Sequence, residues 1–264
     1  MKTANGGEKV LLVVAPIWPT RWPNLGVSQL KASLERAGHP TDVLYLNMLF
    51  ASRVSLTNLE RLSWYQAQML GEFVFAAALF GDKAGGIDRY VDEILSGTDA
   101  LRFIESEFPD ESPATALARL RAEAVAFCDG EGLEAILACD ARLVGFSSTF
   151  EQNCASLALL DRLKRKRPDI VTVMGGANCE GEMGEELIAR FPAVDYVGQG
   201  ECEHSLVALV DALADGRPGD GIPGMLSRQG PTGGPPGKPL TSADMDDLPY
   251  ADFDDYFAQR TAYG

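Results

Sequence analysis

The chain has 264 residues, 46% of them hydrophobic, and carries 38 acidic against 23 basic side chains for a net charge of −15. That hydrophobic content supports a sizeable core and excludes an intrinsically disordered segment, and the acidic balance disfavours nucleic acid as a partner. No apolar run reaches the roughly 18–20 residues of a membrane span; the polar start, Met1-Lys2-Thr3-Ala4-Asn5-Gly6-Gly7, is unlike a signal peptide, and five widely spaced cysteines without a C-x-x-C suit free thiols in a reducing cytoplasm.

In chain order, Lys9–Ala15 is a continuous apolar run, the pattern of a strand buried on both faces. A Trp- and Pro-rich loop (16–23) follows, then a helix with Val27, Leu30, Leu34 and Ala37 on one side, ended by Gly38. Thr41–Leu46 reads as a second strand. Residues about 50–135 read as mostly helical and far exceed a plain connection of about 2–6 residues, so they form an insertion. Its aromatic stretch Trp64–Phe80 reads as insertion core or as a docking surface.

Strand and helix alternation then resumes. Arg142–Phe146, Ile170–Met174 and Asp195–Val197 are expected strands. Glu151–Lys166, Glu182–Phe191 (Met183, Leu187 and Phe191 inward) and His204–Leu213 are expected helices. The expectation is an α/β, Rossmann-like, doubly wound and mostly parallel five-stranded sheet with the helical insertion after strand two, occupying residues 8–225. Residues 226–264 read as a Gly/Pro-rich hairpin or linker and an acidic tail.

Ligands of such sheets bind beyond the carboxyl ends of the strands. Those ends carry Trp18-Pro19, Ser147-Ser148-Thr149-Phe150, Gly175-Gly176-Ala177-Asn178 and Gly198-Gln199-Gly200-Glu201. Small side chains let a large flat ligand approach the backbone. Each loop also has a plain structural reading: a Gly-Gly βα turn, a Ser/Thr helix N-cap, an apolar plug from the Trp/Pro loop. A G-x-G-x-x-G after strand one, a P-loop and a G-x-S-x-G elbow are all absent, and the histidines are His39 and His204 alone. Cys202-Glu203-His204 has no second pair at metal-ligand spacing.

The chain resembles the N-terminal half of the cobalamin-dependent radical S-adenosylmethionine enzymes, closest to the RiPP maturation radical SAM proteins. The likeness rests on Ala15-Pro16-Ile17-Trp18 with Pro23–Gly26, Leu44–Asn47, Gly71–Phe75, Leu79–Asp82, the SSTFEQN run of 147–153, the GGANCEGEMG run of 175–184, Val194–Val197 with Gly200-Glu201, and Asp252–Phe257. It implies a domain that binds cobalamin, with Ser147, Ser148 and Thr149 along the channel for the dimethylbenzimidazole tail, Gly175 and Gly176 against that tail, and Trp18 and Pro19 near the lower corrin face. Phe150, Gln152, Asn153, Ala177, Asn178, Gly200 and Glu201 complete the implied cofactor-binding set. No residue is expected to be catalytic or to ligate a metal.

The resemblance further implies a radical SAM core, on a missing C-terminal part or a separate chain, that brings S-adenosylmethionine and a [4Fe–4S] cluster to a ribosomally made precursor peptide, with methylation as the expected reaction. The chain departs from cobalamin domains that ligate cobalt through histidine, because D-x-H-x-x-G is absent after strand one, and it lacks the cluster's C-x-x-x-C-x-x-C. A fragment of a longer enzyme is therefore expected; a stand-alone cobalamin carrier or sensor, and a cofactor-free scaffold that docks the precursor, remain as alternatives.

Overall fold

The computed structural model describes residues 7–229 and 242–263. Among the described residues, six strands form one sheet: β1 (Val10–Val14), β2 (Thr41–Tyr45), β3 (Leu143–Ser147), β4 (Val171–Gly175), β5 (Tyr196–Gly198) and β6 (Met225–Ser227). Their order is β2-β1-β3-β4-β5-β6, parallel except for β6, which runs antiparallel to β5. The Rossmann-like parallel sheet agrees with the sequence reading, and β6 is the correction to its five strands. At three residues on an edge, β6 is too short to carry a period of its own.

Helix α1 (Leu25–Arg36) joins β1 to β2, and its N-terminus is capped by the Asn24 side chain, which accepts from the Val27 N–H at 3.2 Å. The insertion contains α2 (Leu46–Val54), α3 (Leu56–Leu62), α4 (Leu70–Phe80), α5 (Ile87–Tyr90), α6 (Asp99–Glu107), α7 (Pro113–Asp129) and α8 (Glu131–Ala138). After β3 come α9 (Asn153–Lys166), α10 (Glu182–Arg190), α11 (Glu203–Ala214), α12 (Ser242–Asp246) and α13 (Asp254–Tyr263). Among the described residues, no helix is long and apolar enough to cross a membrane.

Strand alternation divides the core in two. Leu11, Val13, Val144, Phe146, Met174 and Val197 turn to one face, where Leu70, Val74 and Phe75 of α4, Leu117, Leu120 and Phe127 of α7 and Leu157, Leu160 and Leu163 of α9 are also buried. Val10, Leu12, Val14, Leu143 and Val173 turn to the other, joined by Val27 and Leu34 of α1, Leu206 and Leu209 of α11, and Tyr256 of α13. Within Trp64–Phe80, Leu70, Val74 and Phe75 are buried, whereas Trp64 and Phe80 are exposed at both ends of the stretch. Met183, expected inward, is exposed; Leu187 and Ile188 bury α10 instead.

The acidic tail folds back onto the domain. Asp255 accepts from Lys31 Nζ at 2.7 Å and from the Val43 N–H at 2.9 Å, and Gln259 accepts from the Tyr45 N–H at 2.9 Å. Tyr256 is buried against Tyr45 edge to face, with ring centroids 5.4 Å apart. Helix α13 is thus docked on the open edge at β2, a covering that blunts an exposed strand. The Gly/Pro-rich stretch read as a hairpin tip or linker, 230–237, lies outside the described residues.

Candidate functional site

A slot opens at the carboxyl end of the sheet, between its β3–β5 strands and the α1/α11 layer. Its volume is about 150 Å³, a size at which an apolar cavity takes a benzene ring, on the order of 150 Å³. The floor is made by residues of one face of successive strands: Leu12, Gly145, Ser147, Val173, Gly175 and Gly198. Three of those positions are glycine, at the register where side chains would otherwise fill the space under α1 and α11. A Cβ placed on Gly175 meets nothing nearer than the Gly198 carbonyl oxygen at 4.0 Å, and one on Gly145 meets the movable Leu12 Cδ2 at 3.1 Å, whereas one on Gly198 would stand 2.6 Å from Cys202 Sγ, so the Cys202 thiol closes that end of the floor. The roof is Gly26, Val27 and Leu30 of α1 with Leu206 of α11.

Polar groups gather at the mouth, where Ser147, Glu201, Cys202 and Glu203 stand. Glu203 has one carboxylate oxygen buried without a hydrogen-bond partner, an arrangement that costs free energy unless a donor reaches it. The Cys202 thiol is pushed up to about 12 by burial, reinforced by Glu203, Glu180 and Glu201, so it is a neutral thiol and a poor metal ligand at ordinary pH.

The serine loop after β3 is built from within. The Ser148 N–H donates to the Gly175 carbonyl at 2.7 Å, its hydroxyl donates to Asn153 Oδ1 at 2.7 Å, and Asn178 Nδ2 donates to that hydroxyl at 3.1 Å. The Thr149 N–H donates to Gln152 Oε1 at 2.9 Å. Gly176 has φ +98°, and a Cβ there would stand 2.5 Å from the Ser148 carbonyl oxygen, so only glycine allows β4's exit to close on this loop.

Helix α9 has no capping side chain of its own. Its first N–H groups are taken by the insertion: Asn153 N–H donates to Glu72 Oε1 at 2.8 Å and Cys154 N–H to Glu72 Oε2 at 2.7 Å. In return Glu151 Oε1 accepts from the Gly71 N–H at 3.3 Å, at the start of α4. The two helices cap each other through carboxylates. Glu151 is a buried residue with φ +41°. Its carboxyl is raised from 4.5 to about 7 by burial, with Glu72 adding to the rise and the Gly71 N–H opposing it.

The residues expected from the sequence therefore fall into three groups. Ser147, Gly175, Gly176, Gly200 and Glu201 line the slot. Ser148, Thr149, Gln152, Asn153 and Asn178 form the hydrogen-bonded loop beside it, next to Ala177 in its short 3₁₀ turn, while Phe150 is exposed. Trp18 and Pro19 sit on the loop after β1, tied to α2 by Asn47 Nδ2, which donates to their carbonyls at 3.0 and 3.4 Å; the buried Trp18 Nε1 has no partner. Gly145, Gly198, Cys202 and Glu203 also line the slot but stand outside the cofactor-binding set expected from the sequence, in which Gly198 appears only in a strand-end loop and Cys202-Glu203 only as half of a metal-ligand spacing. The two strand glycines were legible only through the two-residue alternation that puts them on the face of Leu143 and Val173.

No histidine lines the slot. His39 lies just before β2, at the opposite edge of the sheet, where its Nε2 is 2.9 Å from Asp211; His204 is exposed on α11. Among the described residues, no group of three or more His, Cys, Asp or Glu side chains is placed to hold a metal, and all five cysteines are free.

No protein-family profile matches this sequence, and no curated protein matches it. Solved structures do. The radical S-adenosylmethionine methyltransferase TsrM from Kitasatospora setae, with cobalamin and a [4Fe-4S] cluster bound, aligns at TM-score 0.45 and 16% identity over 93% of this chain and 31% of that one. The same enzyme with tryptophan substrate and the SAM analog aza-SAM aligns at TM-score 0.44 and 16% identity over 83% and 28%. A protein from Mycobacterium smegmatis aligns at TM-score 0.21 and 12% identity over 84% and 91%. This chain spans less than a third of the length of the two TsrM chains.

Proposed function

We propose that this chain is a cobalamin-binding domain whose slot takes the dimethylbenzimidazole end of the cofactor. The observation that carries the reading is the open space over Gly175, where an added Cβ would meet nothing nearer than 4.0 Å, between a sheet and its helices where a packed domain would hold side chains; it is bounded by the Leu12 side chain at Gly145 and by the Cys202 thiol over Gly198. A planar bicyclic ring fits such a space. Glu203's unpartnered oxygen and Ser147 at the mouth would meet a hydroxyl or amide N–H of the linking tail. The corrin would then lie over the strand ends, beside the loop that carries Trp18.

The slot lining offers no imidazole to a bound group, because neither His39 nor His204 lines it, and burial raises the Cys202 thiol. When bound, cobalamin supplies a cobalt centre able to carry a transferable methyl group; this chain's part would be to hold the tail in the slot and seat the ring at the strand ends. The finer reading, resting on the SSTFEQN and GGANCEGEMG sequence likeness, is that a radical SAM core supplies the [4Fe–4S] cluster and S-adenosylmethionine, and that a ribosomally made peptide is the methyl acceptor.

The test is corrin retention. The purified chain is incubated with hydroxocobalamin and desalted, and the visible spectrum of the protein fraction is recorded. About one corrin per chain is expected, with loss in Gly175→Val, whose side chain enters the slot. A chain that folds and retains no corrin overturns the reading.

A further inference from the structure

A larger cavity lies beyond the end of β2, apart from the slot. It has a volume of about 770 Å³ between the loop after β1 and helices α2, α3 and α13. We infer that this cavity is a docking site for an acidic peptide segment bearing an aromatic or large apolar side chain.

Its charge is opposite to that of the molecule. Arg21, Arg61 and Arg260 line it, in a chain of net charge −15. Among the described residues, neither Arg61 nor Arg260 holds a carboxylate within ion-pair distance. Arg260 is steadied by a hydrogen bond from Nη1 to the Tyr256 hydroxyl at 3.1 Å, and that hydroxyl donates to the Thr20 carbonyl at 2.9 Å. Arg21 and Arg61 both stand over the indole of Trp64, at 5.7 and 5.5 Å from its centroid. Trp64 is 52% exposed, with Met48 and Ala51 of α2 in the same cavity. An exposed indole flanked by guanidinium groups has the composition of a binding hot spot.

Among the described residues, the one carboxylate lining the cavity has a structural task. Glu60, 6% exposed, accepts from Thr20 N–H at 2.8 Å and Thr20 Oγ1 at 2.7 Å and pairs with Arg21 Nε at 3.2 Å. It fixes the loop after β1 and leaves Arg61 and Arg260 available. Guanidinium groups distributed over α3 and α13 suit several single-charge carboxylates, each taken in bidentate fashion. Guanidinium groups bind phosphate as well as carboxylate, but among the described residues no glycine lines this cavity to add a backbone N–H cradle, and the buried Glu60 opposes a dianion more than a carboxylate. The volume lies within the usual range for specific ligand sites, about 300–1,000 Å³, and Arg clusters are a recurring means of reading acidic motifs.

The experiment is fluorescence anisotropy on the full chain with a short labelled peptide alternating glutamate and phenylalanine. The controls are the same peptide with lysine for glutamate, inorganic phosphate and ATP. Saturable binding of the glutamate peptide is expected, weakened about tenfold or more by the double variant Arg61→Glu with Arg260→Glu and by raising salt from about 0.05 M to about 0.5 M. The double variant is expected to gain affinity for the lysine peptide. Arg61→Gln with Arg260→Gln, which adds no charge repulsion, and Trp64→Ala are each expected to weaken the glutamate peptide, with circular dichroism melts reporting the fold. Absence of glutamate-peptide binding, binding that ignores these substitutions, or binding of phosphate or ATP in its place would overturn the inference. Corrin retention plays no part in the readout, so this result and that at the slot stand or fall separately.

Discussion

The two faces of the sheet use the same strands and reach opposite ends. On the face toward α4, α7 and α9, Val144, Phe146, Met174 and Val197 are at most 2% exposed and packed into a continuous core. On the face toward α1 and α11, the alternating partners at the carboxyl end are Gly145, Ser147, Gly175 and Gly198, and an open slot stands where side chains would be. Neighbouring residues of one strand thus serve packing on one side and vacancy on the other. The vacancy is local, since Val10, Leu12, Leu143 and Val173 fill the same face toward the amino end. A domain that forgoes burial of this kind gives up roughly 25 cal/mol for each Å² left uncovered, which is reasonable where a ligand supplies the missing contacts.

The sharpest break of this comparison is removal of bulk from the packed face. Phe146→Ala leaves a cavity under α4 and α9 and is expected to cost about 3–5 kcal/mol in urea unfolding. The next effect lies where the insertion meets the site. Glu151 has its carboxyl raised in the folded chain, so between about pH 4.5 and about pH 7 the folded state holds a proton that the unfolded state has released. Its contribution to stability is therefore greatest at low pH and declines as pH rises through about 7. Glu151→Gln is expected to be more stable than the parent at pH 8, on the order of 2 kcal/mol, and the difference in melting temperature between the two is expected to vanish toward pH 5.

Glu72→Gln replaces one of two carboxylate acceptors by an N–H₂ group facing the α9 amides, at a cost of about 1–2 kcal/mol. Hydrogen exchange is expected to quicken at Asn153 and Cys154 before it does so in β3. Because Glu72 raises the Glu151 carboxyl, the same variant should shift the pH-dependence of Glu151 downward. The smallest effect is on the open face. Gly175→Ala places its methyl group in free space, and its unfolding free energy is expected to lie within about 1 kcal/mol of the parent, on the stabilising side. A large loss there would mean that the slot is packed tightly and has no room for a ring.

Much of the architecture was legible because fully buried parallel strands announce themselves as apolar runs, as in Val10–Val14, and because the helical interruption over about residues 50–135 fits no ordinary crossover. The strand-end loops were legible by the same topology. What escaped depended on tertiary placement. Gly145 and Gly198 are single glycines inside strands, and their meaning comes from sharing the slot-side face with Gly175: Gly145 pairs with Val173, two residues before Gly175, and Gly198 stands two residues after Tyr196, the partner of Val173. Ser148 looked like a slot residue beside Ser147, yet one step along a strand turns a side chain to the other face, and its hydroxyl is taken up by Asn153 and Asn178. The tail of 252–263 has an acidic composition that suggests solvent, whereas Asp255 and Tyr256 are met by Lys31, Val43 and Tyr45 only after folding. Glu72 as the cap of α9 lies 81 residues from its partner, beyond any local signal.

The most direct test of the slot is to compare corrins that differ only in the tail. Equilibrium titrations of the chain with hydroxocobalamin and with a cobinamide, which lacks the nucleotide tail, isolate what the glycine-floored space contributes. If the slot holds the dimethylbenzimidazole, cobalamin should bind at least about tenfold more tightly than cobinamide, a difference of 1.4 kcal/mol or more, and Gly175→Val should erase that preference while leaving the fold intact. Equal affinities for the two corrins, unchanged in Gly175→Val, would contradict it.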